Sequence, residues 1–308
     1  MPHTLLISHP MLSPMRAGLE AQGYRVVRRW EMADGDAAAV EAIVHAGEIV
    51  LTPEFLESLP SLKLIANVSV GYDGVDVAWC RARGIEVSHA DGLNAEDVAD
   101  HALGLLIGGW RNIVAGDRMV RAGGWNHDRM EVGPGLKGQR VGIMGLGHIG
   151  VAVARRVEAF GMTVAWWGPN PKPDAPWPRA ESLLALAAGS DILVVACRAD
   201  VSNRQAVNAA VIEAVGPNGM IVNVSRGSVI DEDALIAALK DGRLGRAGLD
   251  VFAEEPTPTA RWEGVPGTVL TPHSAGGTVD SLPNMIAQTF ENLRRHFAGE
   301  ALLSPVAA

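Results

Sequence analysis

The sequence predicts an α/β chain of two domains, each a doubly wound parallel sheet. Three observations predict it. Short apolar runs alternate with helical patterns almost from end to end, as strands and crossover helices do in a parallel sheet. The chain has 308 residues, which suits two domains better than one. Apolar residues make up 48% of it, enough to fill two cores.

The first domain opens with a strand over residues 4–8. A helix follows near residues 14–22, with Gly23 where a helix-ending glycine belongs. Residues 24–27 read as the next strand, 37–46 as a helix and 49–51 as a strand. Thr52 is placed to cap a short helix over residues 53–59, because its hydroxyl can accept from an orphan N–H of the first turn. Strands at 62–67 and 85–88, separated by a helix near 75–83, complete the set.

Residues 95–114 form a long, mostly apolar helical stretch, read as the bridge between the domains. Gly104, Gly108 and Gly109 lower its helix propensity but permit close packing. A dimer interface and a buried core helix are both open readings of it. The second domain has expected strands at 140–144, 162–167, 191–196, 220–223, 246–250 and 269–271. A helix from about residue 279 should return to the first domain. The boundaries expected are therefore 1–96 with 280–308, and 97–279.

Charge and composition exclude some functions. The 26 basic residues are outnumbered by 35 acidic ones, a net charge of −9, and nucleic acid needs the opposite balance. Two cysteines, Cys80 and Cys197, stand at neither metal-ligand nor redox spacing, so reduced thiols and a cytoplasmic setting are expected. The N-terminus lacks the pattern of a signal peptide. No apolar run approaches the roughly 18 residues of a membrane span. No His, Cys, Asp and Glu cluster has metal-ligand spacing.

One motif carries chemistry directly. Gly145-Leu146-Gly147-His148-Ile149-Gly150 follows a strand and opens a helix, the context that makes a dinucleotide fingerprint specific. Gly145 serves the tight turn, Gly147 lets backbone approach a pyrophosphate, and Gly150 brings helix and strand together. The helix N-terminus adds unpaired N–H groups and a favourable dipole for phosphate. An NAD site should end the next strand with an acid that binds the ribose 2′-OH. The chain instead continues Gly168-Pro169-Asn170, with no acid until Asp174. NADP(H) is therefore the expected cofactor, with NAD(H) as the alternative. Lys172 and Arg198 are the nearest cations expected to reach a 2′-phosphate.

Three further motifs end strands of the second half: Asn223-Val224-Ser225-Arg226-Gly227, then Gly248-Leu249-Asp250-Val251-Phe252 leading to Glu255-Pro256, then Thr271-Pro272-His273-Ser274-Ala275-Gly276. Together with Val68-Ser69-Val70-Gly71-Tyr72-Asp73, Glu96-Asp97-Val98-Ala99-Asp100 and Asp231-Glu232-Asp233-Ala234-Leu235, they make the chain resemble the D-isomer-specific 2-hydroxyacid dehydrogenases. The glyoxylate/hydroxypyruvate reductases and their hydroxyphenylpyruvate-reducing relatives are the nearest in look. The resemblance runs over most of the chain. It implies a flavodoxin-like substrate domain, a Rossmann dinucleotide-binding domain and a homodimer.

The resemblance also assigns roles. Arg226 would hold the substrate carboxylate and touch the keto oxygen, since its planar fork suits a 2-keto acid. His273 would give the proton to that oxygen as hydride arrives. Glu255 would bond the imidazole and favour its charged form. Glu254 precedes it, and the choice of Glu255 rests on the family's acid standing directly before the proline. Backbone N–H groups of Val70 and Gly71 would complete the carboxylate site. The cofactor would meet the Gly145–Gly150 loop, Gly168, Pro169, Asn170, Cys197, Arg198, Val224 and Ser225. Asp250 would face the nicotinamide amide, with His273, Ala275 and Gly276 beside the ring. The ordinary readings are a solvent-facing His273, an Arg226 paired with Asp231, and a Glu255 that is only a loop acid.

The expected activity is reduction of a small 2-keto acid to the 2-hydroxy acid. A short phosphoglycerate or phenylpyruvate-type dehydrogenase is the alternative within the class. A dinucleotide-sensing scaffold or corepressor of the same fold is the alternative outside it. Formate dehydrogenase fits poorly, because Glu255 argues for acid–base work. The fold implies a cofactor cleft and hinges near residues 95–100 and 277–282.

Overall fold

A computed structural model describes residues 2–126 and 133–306. The chain divides into two units, Met1–Asn94 with Val279–Ala308, and Ala95–Thr278.

In the first unit, strands β1 (Thr4–Ile7), β2 (Arg25–Arg28), β3 (Val40–His45), β4 (Leu64–Asn67) and β5 (Glu86–Ser88) form one sheet in the order β2-β1-β3-β4-β5. Every pairing is parallel. This is the flavodoxin-like order, whose switch point falls between β1 and β3. The strands are apolar nearly throughout, because a parallel sheet is covered on both faces. Leu5, Ile7, Ala42, Val44, Leu64 and Ala66 face one core, and Leu6, Ile43 and Ile65 face the other. The helix Ser281–Ala298 packs on the first of these through Met285 and Leu293.

Two local expectations fail here. Residues 37–46 do not form a helix: only Asp36–Ala39 turns, and Val40–His45 is β3. The alanines favour helix, but Val40, Ala42, Ile43 and Val44 are wholly buried between β1 and β4. Pairing on both edges outweighs propensity. Residues 49–51, expected as a strand, are then a loop in which the Leu51 N–H donates to the Gly74 carbonyl at 3.0 Å.

In the second unit, β6 (Arg140–Met144), β7 (Thr163–Trp167), β8 (Ile192–Val195), β9 (Met220–Asn223), β10 (Arg246–Leu249) and β11 (Thr268–Leu270) run parallel in the order β11-β10-β9-β8-β6-β7. Beyond β7, a single parallel bridge joins Trp166 to Arg179. Residues 178–180 thus take the place of the third strand of a dinucleotide-binding sheet, and the chain switches direction between β6 and β8. The predicted 95–114 helix ends earlier, at Trp110. Asn112 turns left-handed (φ 54°) and a separate helix, Ile113–Arg121, begins. The helix Ala95–Trp110 buries Val98, Ala102, Leu105, Leu106 and Trp110 in the core shared with β6 and the helix His148–Ala159.

Candidate active site

The glycine loop of the second unit is shaped by three different demands. Gly145 follows β6 in the left-handed region (φ 94°), and its N–H donates to the Trp167 carbonyl at 2.8 Å. A Cβ there would lie 2.4 Å from Cys197 Cα, and one on Gly150 would lie 2.1 Å from the Gly145 carbonyl oxygen. Turn and packing therefore require glycine at both ends. Gly147 is different, since a Cβ there would meet nothing within 4 Å. It is exposed, and it caps the twelve-residue helix His148–Ala159. Leu146 is buried and Ile149 packs on the core, so only their backbone can reach a ligand. The loop offers an open floor at a helix N-terminus, which fits the pyrophosphate of a dinucleotide.

At the end of β7, Gly168 has room for a side chain but carries none: a Cβ would make only ordinary contact with the Trp166 ring at 3.6 Å. Its carbonyl accepts a hydrogen bond from Arg179 Nη2 at 2.7 Å. Pro169, Asn170 and Lys172 are exposed beyond it. At the ends of β8 and β9, the Ser225 hydroxyl donates to the Cys197 carbonyl. Burial pushes the Cys197 thiol up to about 11, against the opposing effect of the Ser225 hydroxyl, so it is a neutral thiol at physiological pH. Arg198 is exposed, and its carbonyl accepts from Asn203 in the turn that follows.

The acid–base groups stand on three neighbouring loops. His273 follows β11 in the left-handed region (φ 50°), a conformation uncommon for a side-chain-bearing residue. Its N–H donates to the Asp250 carbonyl at 2.8 Å. Its Nδ1 meets Glu255 Oε2 at 2.6 Å, and the other carboxylate oxygen accepts from the Phe252 N–H at 2.8 Å. Of the two adjacent acids, it is Glu255 that reaches the imidazole. Burial disfavours the charge of Glu255. The hydrogen bonds from His273 and Phe252, with the positive charges of His273 and Arg226, outweigh this and hold the carboxyl below its ordinary range. Arg226 follows β9 with extended backbone. Asn223 holds that turn by donating to the Arg226 carbonyl at 3.0 Å, while Arg226 Nη1 donates to the Ser225 carbonyl at 2.8 Å.

Asp250 holds this loop together. Its carboxylate is buried and accepts from the Thr271 hydroxyl (2.6 Å), the Ser274 N–H (3.0 Å) and the Ala275 N–H (2.9 Å). Burial works against its charge, and these bonds with His101 more than compensate, so its pKa is lowered. Sequence reasoning gave Asp250 a cofactor contact and did not foresee this bracing. It also missed His101, whose Nε2 lies 2.9 Å from the Thr271 hydroxyl. The signal was available: His101 stands three residues after Val98 and four before Leu105, on the packed stripe of its helix. Glu232, likewise missed, is buried, accepts from the Ala253 N–H at 2.8 Å and pairs with Arg261, which pins the loop leading to Glu255.

Val70 and Gly71 lie in the first unit, after β4. Both are tethered through their carbonyls: Val70 by His89 Nδ1 at 3.0 Å, and Gly71 by the Ser69 hydroxyl at 2.8 Å.

Comparison with known proteins gives a consistent outcome. Residues 103–275 match the family D-isomer specific 2-hydroxyacid dehydrogenase, NAD binding domain. The chain is 37% identical over 305 residues to the hydroxyphenylpyruvate reductase of Plectranthus scutellarioides, covering 96% of this chain and 97% of that one. It is 40% identical over 271 residues to a glyoxylate/hydroxypyruvate reductase of Arabidopsis thaliana, covering 88% and 84%. The structure resembles the NADPH-dependent glyoxylate/hydroxypyruvate reductase of Sinorhizobium meliloti in complex with NADP and malonate, with a TM-score of 0.92 at 35% identity over 99% of this chain and 97% of that one. No described helix is long and apolar enough to cross a membrane. With its glycine loop, its paired histidine and glutamate and these relatives, the chain belongs to the D-isomer-specific 2-hydroxyacid dehydrogenase family and is an NAD(P)-dependent oxidoreductase.

Proposed function

We propose that this enzyme reduces a small 2-keto acid of the glyoxylate or hydroxypyruvate type to its 2-hydroxy acid, with NADPH preferred over NADH. The reading rests on one observation above others, the 2.6 Å contact between His273 Nδ1 and Glu255 Oε2 with the charge of Arg226 beside it. The nicotinamide cofactor, when bound, supplies the hydride that adds to the keto carbon. Arg226 binds the substrate carboxylate and polarises the carbonyl oxygen through its planar donors. Because Nδ1 of His273 faces Glu255, Nε2 is the atom that gives its proton to the carbonyl oxygen as the C=O bond becomes C–OH. Glu255 stabilises the imidazolium before transfer. The imidazole is partly exposed and regains its proton from solvent. Asp250 and His101 keep the His273 loop in place.

NADPH preference follows from Gly168, which lacks the carboxylate that would repel a 2′-phosphate. The names of the Arabidopsis and Sinorhizobium relatives favour the small keto acids. A cytoplasmic homodimer with two reduced thiols completes the proposal.

The test is oxidation of NADPH and NADH, followed in parallel with glyoxylate and with hydroxypyruvate. Fast turnover with NADPH and slow turnover with NADH is expected. Equal rates would withdraw the cofactor preference and leave the activity standing. No turnover with either cofactor or either substrate would overturn the reading and favour a sensor that binds dinucleotide without reducing a keto acid.

A further inference from the structure

We infer that Arg179 is the residue that selects the phosphorylated dinucleotide, by binding the 2′-phosphate of the adenine ribose at the end of β7. The inference rests on the NADPH preference proposed above. Neither Lys172 nor Arg198, the two cations expected there from the sequence, has the same claim. Lys172 stands on an exposed loop between Pro171 and Pro173. Arg198 already faces a carboxylate, since its charge helps to lower the pKa of Asp200.

Arg179 is eleven residues beyond Gly168 in sequence, and the fold brings it back. Its backbone forms a parallel bridge with Trp166: the Trp166 N–H donates to the Pro178 carbonyl at 3.0 Å, and the Ala180 N–H to the Trp166 carbonyl at 2.8 Å. The arginine is thus set on the sheet edge and not on a free loop. Its side chain runs along β7 to the strand's carboxyl end. There Nη2 donates to the Gly168 carbonyl at 2.7 Å and lies 3.5 Å from the Pro169 carbonyl. Its Cζ stands 5.7 Å from the centre of the buried Trp166 ring.

Three features suit this arrangement to a phosphate. Gly168 is the position where an acid would hold a ribose 2′-OH, about 20 residues past the glycine loop. The vacant Cβ position there leaves room for a bulkier group on the ribose. Both backbone contacts of Arg179 use Nη2, so the donors on Nε and Nη1 remain for a bidentate anion. Among the described residues no carboxylate lies within ion-pair distance of it. A guanidinium already held by two carbonyls loses little freedom on binding, which is how preorganised sites gain affinity.

The test is calorimetric titration of the whole enzyme with adenosine 2′,5′-bisphosphate and with 5′-AMP, which probes the adenine end without turnover. Two variants are used: Arg179→Met, which keeps the stem, and Arg179→Lys, which keeps the charge. The methionine variant should bind the bisphosphate about 10- to 100-fold more weakly, the range for losing charge-assisted hydrogen bonds, and 5′-AMP within about twofold of wild type. Lysine should recover part of the loss. If the methionine variant discriminates as well as wild type, or loses both ligands equally, the inference falls while the cofactor preference stands. If wild type itself binds both ligands alike, the preference fails first and Arg179 has nothing to select.

Discussion

Two histidines of this protein stand at or just past the carboxyl ends of parallel strands, and they do opposite things. His45 closes β3 in the first unit and is fully buried. Its Nδ1 meets the Ser8 hydroxyl at 2.8 Å and its Nε2 donates to the Ile49 carbonyl at 2.8 Å. Both nitrogens are occupied by neutral groups, and burial pushes its pKa down to about 4, so it is an uncharged strut. His273 stands past β11 in the second unit, partly exposed, with a carboxylate on Nδ1. Topological position alone does not set a histidine's chemistry. The charge of its partner and its access to solvent do.

Four experiments test that contrast. The largest effect is expected from His273→Gln, which keeps a polar side chain but removes the transferable proton. Turnover should fall by a factor on the order of 10²–10⁴, the span for losing a general acid. Wild-type steady-state rates in this variant would refute the assignment. Next, Arg226→Ala should lower kcat/KM by about 10²–10³, as two charge-assisted bonds are lost, with KM raised as well as kcat lowered. A change confined to kcat would place Arg226 away from the substrate carboxylate.

The third test addresses His45. The unfolded chain binds its proton with a pKa near 6.5, but the folded chain does so only near 4, so unfolding takes up a proton between these values. Stability should therefore fall as pH drops, by about 3 kcal/mol between pH 7 and pH 4 from this residue. Urea unfolding at both pH values should show a shallower loss in His45→Gln than in wild type. Parallel losses would mean that His45 is not held neutral. The smallest effect is expected from Glu255→Gln. Loss of the negative charge should reduce turnover about tenfold and lower the proton affinity of His273. The alkaline limb of the pH–rate profile for keto acid reduction should move to lower pH, and an unmoved limb would show that Glu255 only orients the ring.

Much of the second unit was legible because its motifs are local. Gly145, Gly147 and Gly150 announce a turn, an open floor and a close contact within six residues, between a strand and a helix. Arg226 and His273 stand three residues past strands and Glu255 on the loop after β10, where a parallel sheet presents its loops. Less of the first unit was legible. Residues 37–46 read as helix from their alanines, and only the wholly buried partners on both sides make the second half of that run a strand.

The periodicity, the glycine spacing and the order of the motifs settled the α/β class, the parallel sheets and the dinucleotide loop, because each depends on residues near one another in the chain. The tertiary structure brought Glu255, chosen from the motif, onto His273, and it alone decided that Asp250 and His101 brace the His273 loop and that Arg179 returns to the end of β7. Those contacts join residues that lie 18, 24, 170 and 11 positions apart. Hydrogen bonds over such separations leave no period in a sequence, since the folded sheet, not the chain between them, brings the partners within reach.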